Sequence, residues 1–228
     1  MSPRPFLAFS SLLLLSLAPI GPARAETALP LDRALVRYHA PETGGPKAPQ
    51  FIFERELSFE ARIEALSEGG SATSSGPFLD RHVRAALERR IAEELLSRLP
   101  MDPEPHPSEV AQLAELVREV LEQRVGGRDK LIAAAAAEGI DSGELDGILR
   151  RKARATLYLD RMVTPLLDPA EAELREVHRS AATPFRGRPF PEIKDELRRW
   201  YVGQRVAAAV AGFYQNARTR VQVTFLTK

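Results

Sequence analysis

The sequence contains no cysteine among its 228 residues. This absence excludes disulfide bonds, a thiolate nucleophile and a lipid-modified N-terminal cysteine. Only four histidines are present, and none has a second histidine four residues away, which is the spacing that places two zinc ligands on one helix face. We therefore expect a fold without covalent cross-links and without a metal site.

Sequence motifs for catalysis are also missing. No serine lies in a G-x-S-x-G elbow, and the glycine–serine tract at residues 69–76 lacks the lysine and hydroxyl residue that end a P-loop. We interpret this tract as a flexible loop. Glu173, Glu176 and His178 lie close to one another in the sequence, and we interpret them as solvated helix surface. Carboxylates are numerous, but nothing in their spacing favours a catalytic pair. We therefore predict that the chain is not an enzyme and that it binds no cofactor.

Charge of one sign is not in excess, since 32 basic residues face 31 acidic ones. Nucleic-acid binders gain most of their affinity by neutralising phosphates, so this balance argues against a nucleic-acid partner. The hydrophobic run at residues 6–17 follows Arg4 and precedes a small-x-small pattern that ends at Ala25. These features predict a secretory signal peptide over residues 1–25, and the run is too short to span a bilayer. After cleavage we expect an exported chain without a membrane segment.

Hydrophobic periodicity predicts a mostly α-helical protein. The predicted helices cover residues 50–67, 79–99, 109–124, 130–138, 141–163, 170–180 and 192–218. Alternating residues at 31–38 and 221–226 predict two strands, which should pair because a lone strand cannot satisfy its backbone groups. Residues 51–53 could also begin as strand. The expected organisation is a signal peptide (1–25), an N-terminal strand and linker (26–49), and a multi-helix domain (50–228) with a small terminal two-stranded β element.

Capping residues predict where several helices begin and end. Gly139 should end one helix in a left-handed conformation, and Asp141 should cap the next in a capping box with Glu144. We also expect Ser108 to cap the third long helix, and Asp168 to cap the sixth with proline at its first position.

The predicted helix at 141–163 carries an unusual distribution of charge. One face bears four arginines: Arg150, Arg151, Arg154 and Arg161. A solvated face paired with local acids is the favoured interpretation, and a site for an anionic ligand or an acidic segment is the alternative. Lys152 projects from the apolar stripe, where we expect it to extend its ammonium group to water; a lysine acting in a cleft is the second possibility. The alanine-rich helix, glycine turn and arginine-bearing helix also suggest a helix-turn-helix, which we consider a minor alternative.

The order and spacing of these segments are similar to a known family. HVRAALERRIAEELLSRL (82–99), HPSEVAQLAELV (106–117), GGRDKLIAAAAAEGIDSGELDGILRRKARATLYLDRMV (126–163) and DPAEAELREVHR (168–179) resemble the N-terminal domain of the SurA and PpiC-like periplasmic chaperones. The resemblance covers about residues 79–228. It implies a helical domain that cradles unfolded polypeptides and is related in shape to the chaperone module of trigger factor.

The resemblance also implies what the chain lacks. Family members often carry a parvulin prolyl isomerase domain, but residues 166–190 are too few to form one. The expected function is therefore a non-catalytic, periplasmic, chaperone-like protein that binds unfolded or extended polypeptides, with outer-membrane proteins as candidate clients. The alternative is an accessory subunit of an envelope complex that binds one fixed partner.

A chaperone of this kind needs apolar side chains that remain exposed after its core is filled. Three aromatic or apolar pairs are candidates for client binding. In two of them the residues are adjacent on a helix and point about 100° apart, so one buried stripe cannot cover both equally. These candidates are Phe51 and Phe53, Leu157 and Tyr158, and Trp200 and Tyr201. Ordinary core packing is the alternative role for each of them.

Overall fold

The computed structural model describes residues 32–68, 76–180 and 183–226. The predicted signal peptide, Leu31 and residues 69–75 of the glycine–serine tract lie outside the described residues. The described ranges contain seven α-helices and three β-strands, so the prediction of a mostly α-helical fold is confirmed. No helix within these ranges combines the length and the apolar character needed to cross a bilayer.

The elements follow the chain in a simple order. The strands are β1 (Ala34–His39), β2 (Gln50–Phe53) and β3 (Gln222–Phe225). The helices are α1 (Glu54–Ser67), α2 (Asp80–Ser97), α3 (Pro107–Val125), α4 (Arg128–Ala137), α5 (Ser142–Tyr158), α6 (Glu171–Arg179) and α7 (Phe190–Arg218).

The three strands form one antiparallel sheet in the order β2-β1-β3. Val36 in β1 lies opposite Ile52 in β2 and opposite Phe225 in β3. The predicted pairing of the N-terminal strand with the C-terminal strand is therefore confirmed. The predicted two-stranded element was incomplete, because β2 adds a third strand. Two short 3-10 turns connect β1 to β2, so the expected division between residues 49 and 50 runs through a β-hairpin of one compact unit.

The turn between α4 and α5 follows the capping signals in the sequence. Gly139 has a φ of +68°, and the Ile140 N–H donates to the Ala135 carbonyl at 3.0 Å. Asp141 accepts a hydrogen bond from the Glu144 N–H at 2.8 Å, and Glu144 accepts one from the Asp141 N–H at 3.1 Å. Both the glycine C-cap and the capping box are confirmed.

Four predicted helix ends were wrong. The first helix, predicted from residue 50, begins at Glu54, because residues 50–53 form strand β2. His106, not Ser108, caps α3: its ring nitrogen accepts the Ser108 N–H, because Pro107 already occupies the first helical position. Helix α6 begins at Glu171 after Ala170 and has no side-chain cap, so neither the Asp168 cap nor the proline at the first helical position is formed. The helix predicted to continue to residue 163 ends as α5 at Tyr158 and continues as a π-helical turn and a 3-10 turn. Pro165 in that segment cannot donate the backbone hydrogen bond that α-helical geometry requires.

Three clusters of buried side chains form the core. The first lies between α1, α3, α4 and α5 and includes Phe59, Leu131 and Leu149. The second lies under the sheet, against α1, α2 and the end of α7. The third joins α6 to the start of α7. Helix α7 has 29 residues and spans about 43 Å at 1.5 Å per residue, so it connects the third cluster to the second.

Candidate functional site

Helices α2, α3, α5 and α7 surround an open groove of about 840 Å³. Helix α2 packs against both α5 and α7, and α5 packs against α3, so α2 and α5 lie beneath the groove with α3 and α7 on its two sides. Most side chains that line the groove are aliphatic. From α2 and α5 they are Ala85, Ala92, Leu96 and Ala155, with Leu159 from the π-helical turn after α5; from α3 they are Leu113, Leu116, Val117, Val120 and Leu121; and from α7 they are Ala207, Val210 and Ala211.

The α3 side of the groove carries large apolar side chains that remain exposed. Leu116 is 55% exposed and Val120 is 61% exposed, whereas Leu121 and Val125 on the same helix are buried. At 100° per residue the apolar side chains of α3 cover an arc of about 180°, which is wider than one packed face requires. One part of this arc fills the first core cluster, and the other part faces the groove. The excess of apolar residues around α3 is the signal in the sequence that could have identified this surface.

Four of the five charged side chains that line the groove are held in ion pairs. Arg124 lies 3.0 Å from Glu64, and Arg89 pairs with the same carboxylate. Burial and the nearby Arg124 guanidinium together lower the pKa of Arg89. Because these charges already have partners, the surface that the groove offers to a ligand is mainly aliphatic.

Lys152 lies at the base of the groove and differs from its prediction. Its side chain does not extend to water, because the residue is only 8% exposed. The ammonium nitrogen lies 2.8 Å from a carboxylate oxygen of Glu60 on α1 and 2.9 Å from one of Glu93 on α2. A buried ammonium group requires such partners, because the removal of an unpaired charge from water costs roughly several kcal/mol. Lys152 therefore connects three helices beneath the groove.

Three of the four arginines on the predicted 141–163 helix face are paired with acids, and Arg150 is exposed with no ion pair to any described residue. Arg151 pairs with Glu56 on α1, Arg154 lies 2.7 Å from Glu104 in the connector before α3, and Arg161 pairs with Glu109 on α3. Pairing with acids is thus confirmed for these three residues, whereas the prediction that the acids are local is wrong. The acids come from other elements of the fold, however, and not from the same helix.

Phe51 and Phe53 are exposed on β2, at the opposite edge of the sheet from β3. Their neighbour Ile52 points to the other face of the strand and is fully buried beside Val36. The alternation of side chains along a strand explains this difference. The two phenylalanines are therefore accessible, as a client-binding role would require, but they do not line the groove.

The other four candidates for client binding contribute mainly to packing. Leu157 is 8% exposed and belongs to the interior. Trp200 packs edge-on against Phe185 with ring centroids 6.3 Å apart, and the Tyr201 hydroxyl donates to Glu173 at 2.9 Å. Tyr158 is half-buried at the end of α5. None of these four residues lines the groove, so the structure does not bring the six candidates together in one site.

Glu173 and His178 of α6 have structural partners, and Glu176 is exposed as predicted. Glu173 pairs with Arg205 at 3.1 Å, and the His178 ring nitrogen lies 2.8 Å from the Arg188 carbonyl oxygen. Across residues 32–68, 76–180 and 183–226, no group of three His, Asp or Glu side chains is arranged to hold a metal ion. The open aliphatic groove is therefore the strongest candidate site in the described part of the chain. No family model, curated protein or solved structure matches this sequence.

Proposed function

We propose that this protein binds apolar segments of unfolded or extended polypeptides in the groove between α3 and α7, as a non-catalytic chaperone. The observation that carries the proposal is the exposure of Leu116 and Val120 in an aliphatic groove of about 840 Å³. Unfolded chains expose the side chains that they would bury when folded, and transfer of such side chains from water to an aliphatic surface is favourable.

The paired charges support an apolar ligand over an anionic one. Arg89 and Arg124 share Glu64, and Lys152 is held by two carboxylates. An anionic ligand would have to compete with these carboxylates for each cation. An aliphatic segment can contact the groove without disturbing any of these ion pairs.

The bacterial periplasm is the proposed location. The basis is the pattern of residues 1–25 in the sequence, with Arg4 before a short apolar run and a small-x-small motif that ends at Ala25. Unfolded outer-membrane proteins are then the proposed clients. Their transmembrane strands carry many apolar side chains that have no bilayer to enter before assembly.

The experiment measures whether the protein slows aggregation of a denatured outer-membrane β-barrel protein diluted from urea, followed by light scattering. Increasing amounts of the wild-type protein should lower the scattering in the absence of nucleotide. A Leu116→Asp/Val120→Asp variant should lose most of this effect, because two charges would enter the aliphatic surface. Ile132→Asp is the matched control, since Ile132 is an exposed large apolar residue on α4 outside the groove.

Two results would count against the proposal. Unchanged scattering at several-fold excess of the wild-type protein would show that it does not protect unfolded clients. Equal activity of the groove variant and the Ile132→Asp control would show that clients bind elsewhere. Protection of a single client among several unrelated ones would instead favour an accessory subunit with one fixed partner.

A further inference from the structure

Strand β3 leaves one of its two backbone edges open. Within the described ranges it pairs only with β1, and the Leu226 N–H donates to the Leu35 carbonyl at 2.8 Å. Backbone groups in an antiparallel ladder face the partner strand at every second residue. The N–H and C=O groups of Thr224 therefore face β1, whereas those of Val223 and Phe225 point to the open edge.

The side chains of Val223 and Phe225 are also uncovered. Their partners across the ladder, Tyr38 and Val36, are almost completely buried on the same face of the sheet. Val223 is nevertheless 40% exposed and Phe225 is 61% exposed. Beside them is a cavity of about 690 Å³ that is also lined by Leu87 and Ile91 of α2. The sheet therefore has an open edge at β3, and the cavity beside it has room for the side chains of one more strand.

We propose that a bound polypeptide adds a fourth strand to the sheet at β3 and inserts alternate apolar side chains into this cavity. Residues of the added strand that lie opposite Val223 and Phe225 would share their face of the sheet and point into the cavity. The ligand is then an extended segment with large apolar residues at every second position. This inference rests on the proposed function, because it specifies how such a segment is held.

Two further features favour this mode of binding. Natural edge strands are commonly blocked by charged residues, proline or a bulge, and the four residues of β3, QVTF, include no charge and no proline. Tyr214 and Glu88 line both this cavity and the groove between α3 and α7. A single extended segment can therefore pass from the β3 edge into the groove, as in strand addition by peptide-binding domains.

Substitution of Val223 by proline tests the open edge directly. Val223→Pro removes an N–H group that points away from β1, so the fold should be retained, as circular dichroism would show. We expect at least a tenfold loss of affinity for a labelled 12-residue peptide that alternates phenylalanine or valine with serine or threonine. Val223→Ala, which keeps the N–H group, is the matched control and should lose less. A scrambled peptide with its apolar residues in one block should bind the wild type more weakly.

Hydrogen exchange provides a readout that does not depend on any variant. The amides of Val223 and Phe225 should gain protection when the alternating peptide binds to the wild-type protein. Unchanged exchange at both amides, or wild-type affinity in a folded Val223→Pro variant, would overturn the proposal. Protection of these amides by self-association without peptide would also overturn it, since a second copy would then occupy the edge.

The test of strand addition at β3 can be distinguished from the test of binding in the groove. Loss of binding in Leu116→Asp with no loss in Val223→Pro would leave the groove function intact and reject strand addition. Loss in Val223→Pro with no loss in Leu116→Asp would support strand addition and reject the groove as the binding surface.

Discussion

Lys152 and Glu60 are 92 residues apart in the sequence, and their side chains meet at 2.8 Å in the interior. Lys152 comes from α5 and Glu60 from α1, and Glu93 of α2 completes the contact at 2.9 Å. Burial alone would raise the pKa of Glu60, but the Lys152 ammonium group outweighs burial and holds that pKa below its ordinary value. The three helices beneath the groove are thus joined by one cation.

Replacement of Lys152 by methionine should destabilise the protein strongly. The change would leave the carboxylate of Glu60 buried without its cation, a loss of about 3–5 kcal/mol in the free energy of unfolding. Urea denaturation followed by circular dichroism measures this value. The double variant Lys152→Met/Glu60→Leu should recover part of the loss, because the charged pair is then absent and only the Glu93 carboxylate is left without its cation. Lys130→Met, at an exposed lysine, should change stability by less than about 0.5 kcal/mol; a similar loss at both lysines would contradict the role of the pair.

Stability should decrease in acid. Burial alone would raise the pKa of Glu60 and of Glu94, but nearby cations outweigh it and lower both pKa values: chiefly Lys152 for Glu60, and Arg90 together with Arg98 for Glu94. Below the ordinary pKa of 4.5, the unfolded chain binds protons that the folded protein does not. The stabilisation that these two carboxylates provide is therefore complete above pH 4.5, and it is lost as the pH falls through their lowered pKa values. Urea denaturation at a series of pH values from about 6 to about 3, which spans the ordinary glutamate pKa, should show this decline. Glu60→Gln should flatten the slope, whereas substitution of the exposed Glu119 should leave it unchanged.

Gly139, between α4 and α5, and Gly147, inside α5, should respond in opposite directions to substitution by alanine. Gly139 has a φ of +68°, which alanine rarely adopts, so Gly139→Ala should destabilise the protein by about 1 kcal/mol. Gly147 lies inside α5 with open space where a Cβ atom would be placed, so Gly147→Ala should stabilise by roughly 0.5–1 kcal/mol. Thermal denaturation of both variants checks the signs, and a stabilising Gly139→Ala would show that the turn is not held in this conformation.

The protein should not accelerate prolyl cis/trans isomerisation. Residues 166–190 contain α6 and its flanking turns, which leave no room for the separate catalytic domain that the family resemblance associates with that activity. A proline-limited refolding reaction has an uncatalysed time of tens of seconds, and this time should not change when the protein is added. A rate that increases in proportion to protein concentration would reveal an active site.

The parts of the fold that the sequence predicted depend on local chemistry. The capping box of Asp141 and Glu144 lies within four residues, and Gly139 ends α4 through hydrogen bonds within one turn. The pairing of β1 with β3 is long-range, but it follows from the need of each strand for a partner. All seven helices could be predicted as helical segments, because hydrophobic periodicity repeats over several turns.

The candidate site depended on contacts that no sequence window contains. The burial of Lys152 could not be inferred from α5, because its two carboxylates belong to α1 and α2. The groove exists because α3 and α7 lie on α5 and α2 without filling the space between them. Aromatic residues were a poor guide to it, since Trp200 and Tyr201 are used in the contact between α6 and α7. The wide apolar arc of α3, with Leu116 at its margin, was the more informative feature.

The position of β1 between β2 and β3 determines the order in which this fold can be completed. β2 follows β1 within a hairpin, whereas β3 lies beyond all seven helices in the described chain. During synthesis, β1 therefore has one satisfied edge and one unsatisfied edge until the last strand arrives. The groove helices can assemble before that moment, but the sheet cannot close. A chain interrupted after α7 would consequently expose the edge of β1, next to the buried Val36 and Tyr38, and become a target for the same strand pairing that the complete protein offers at β3.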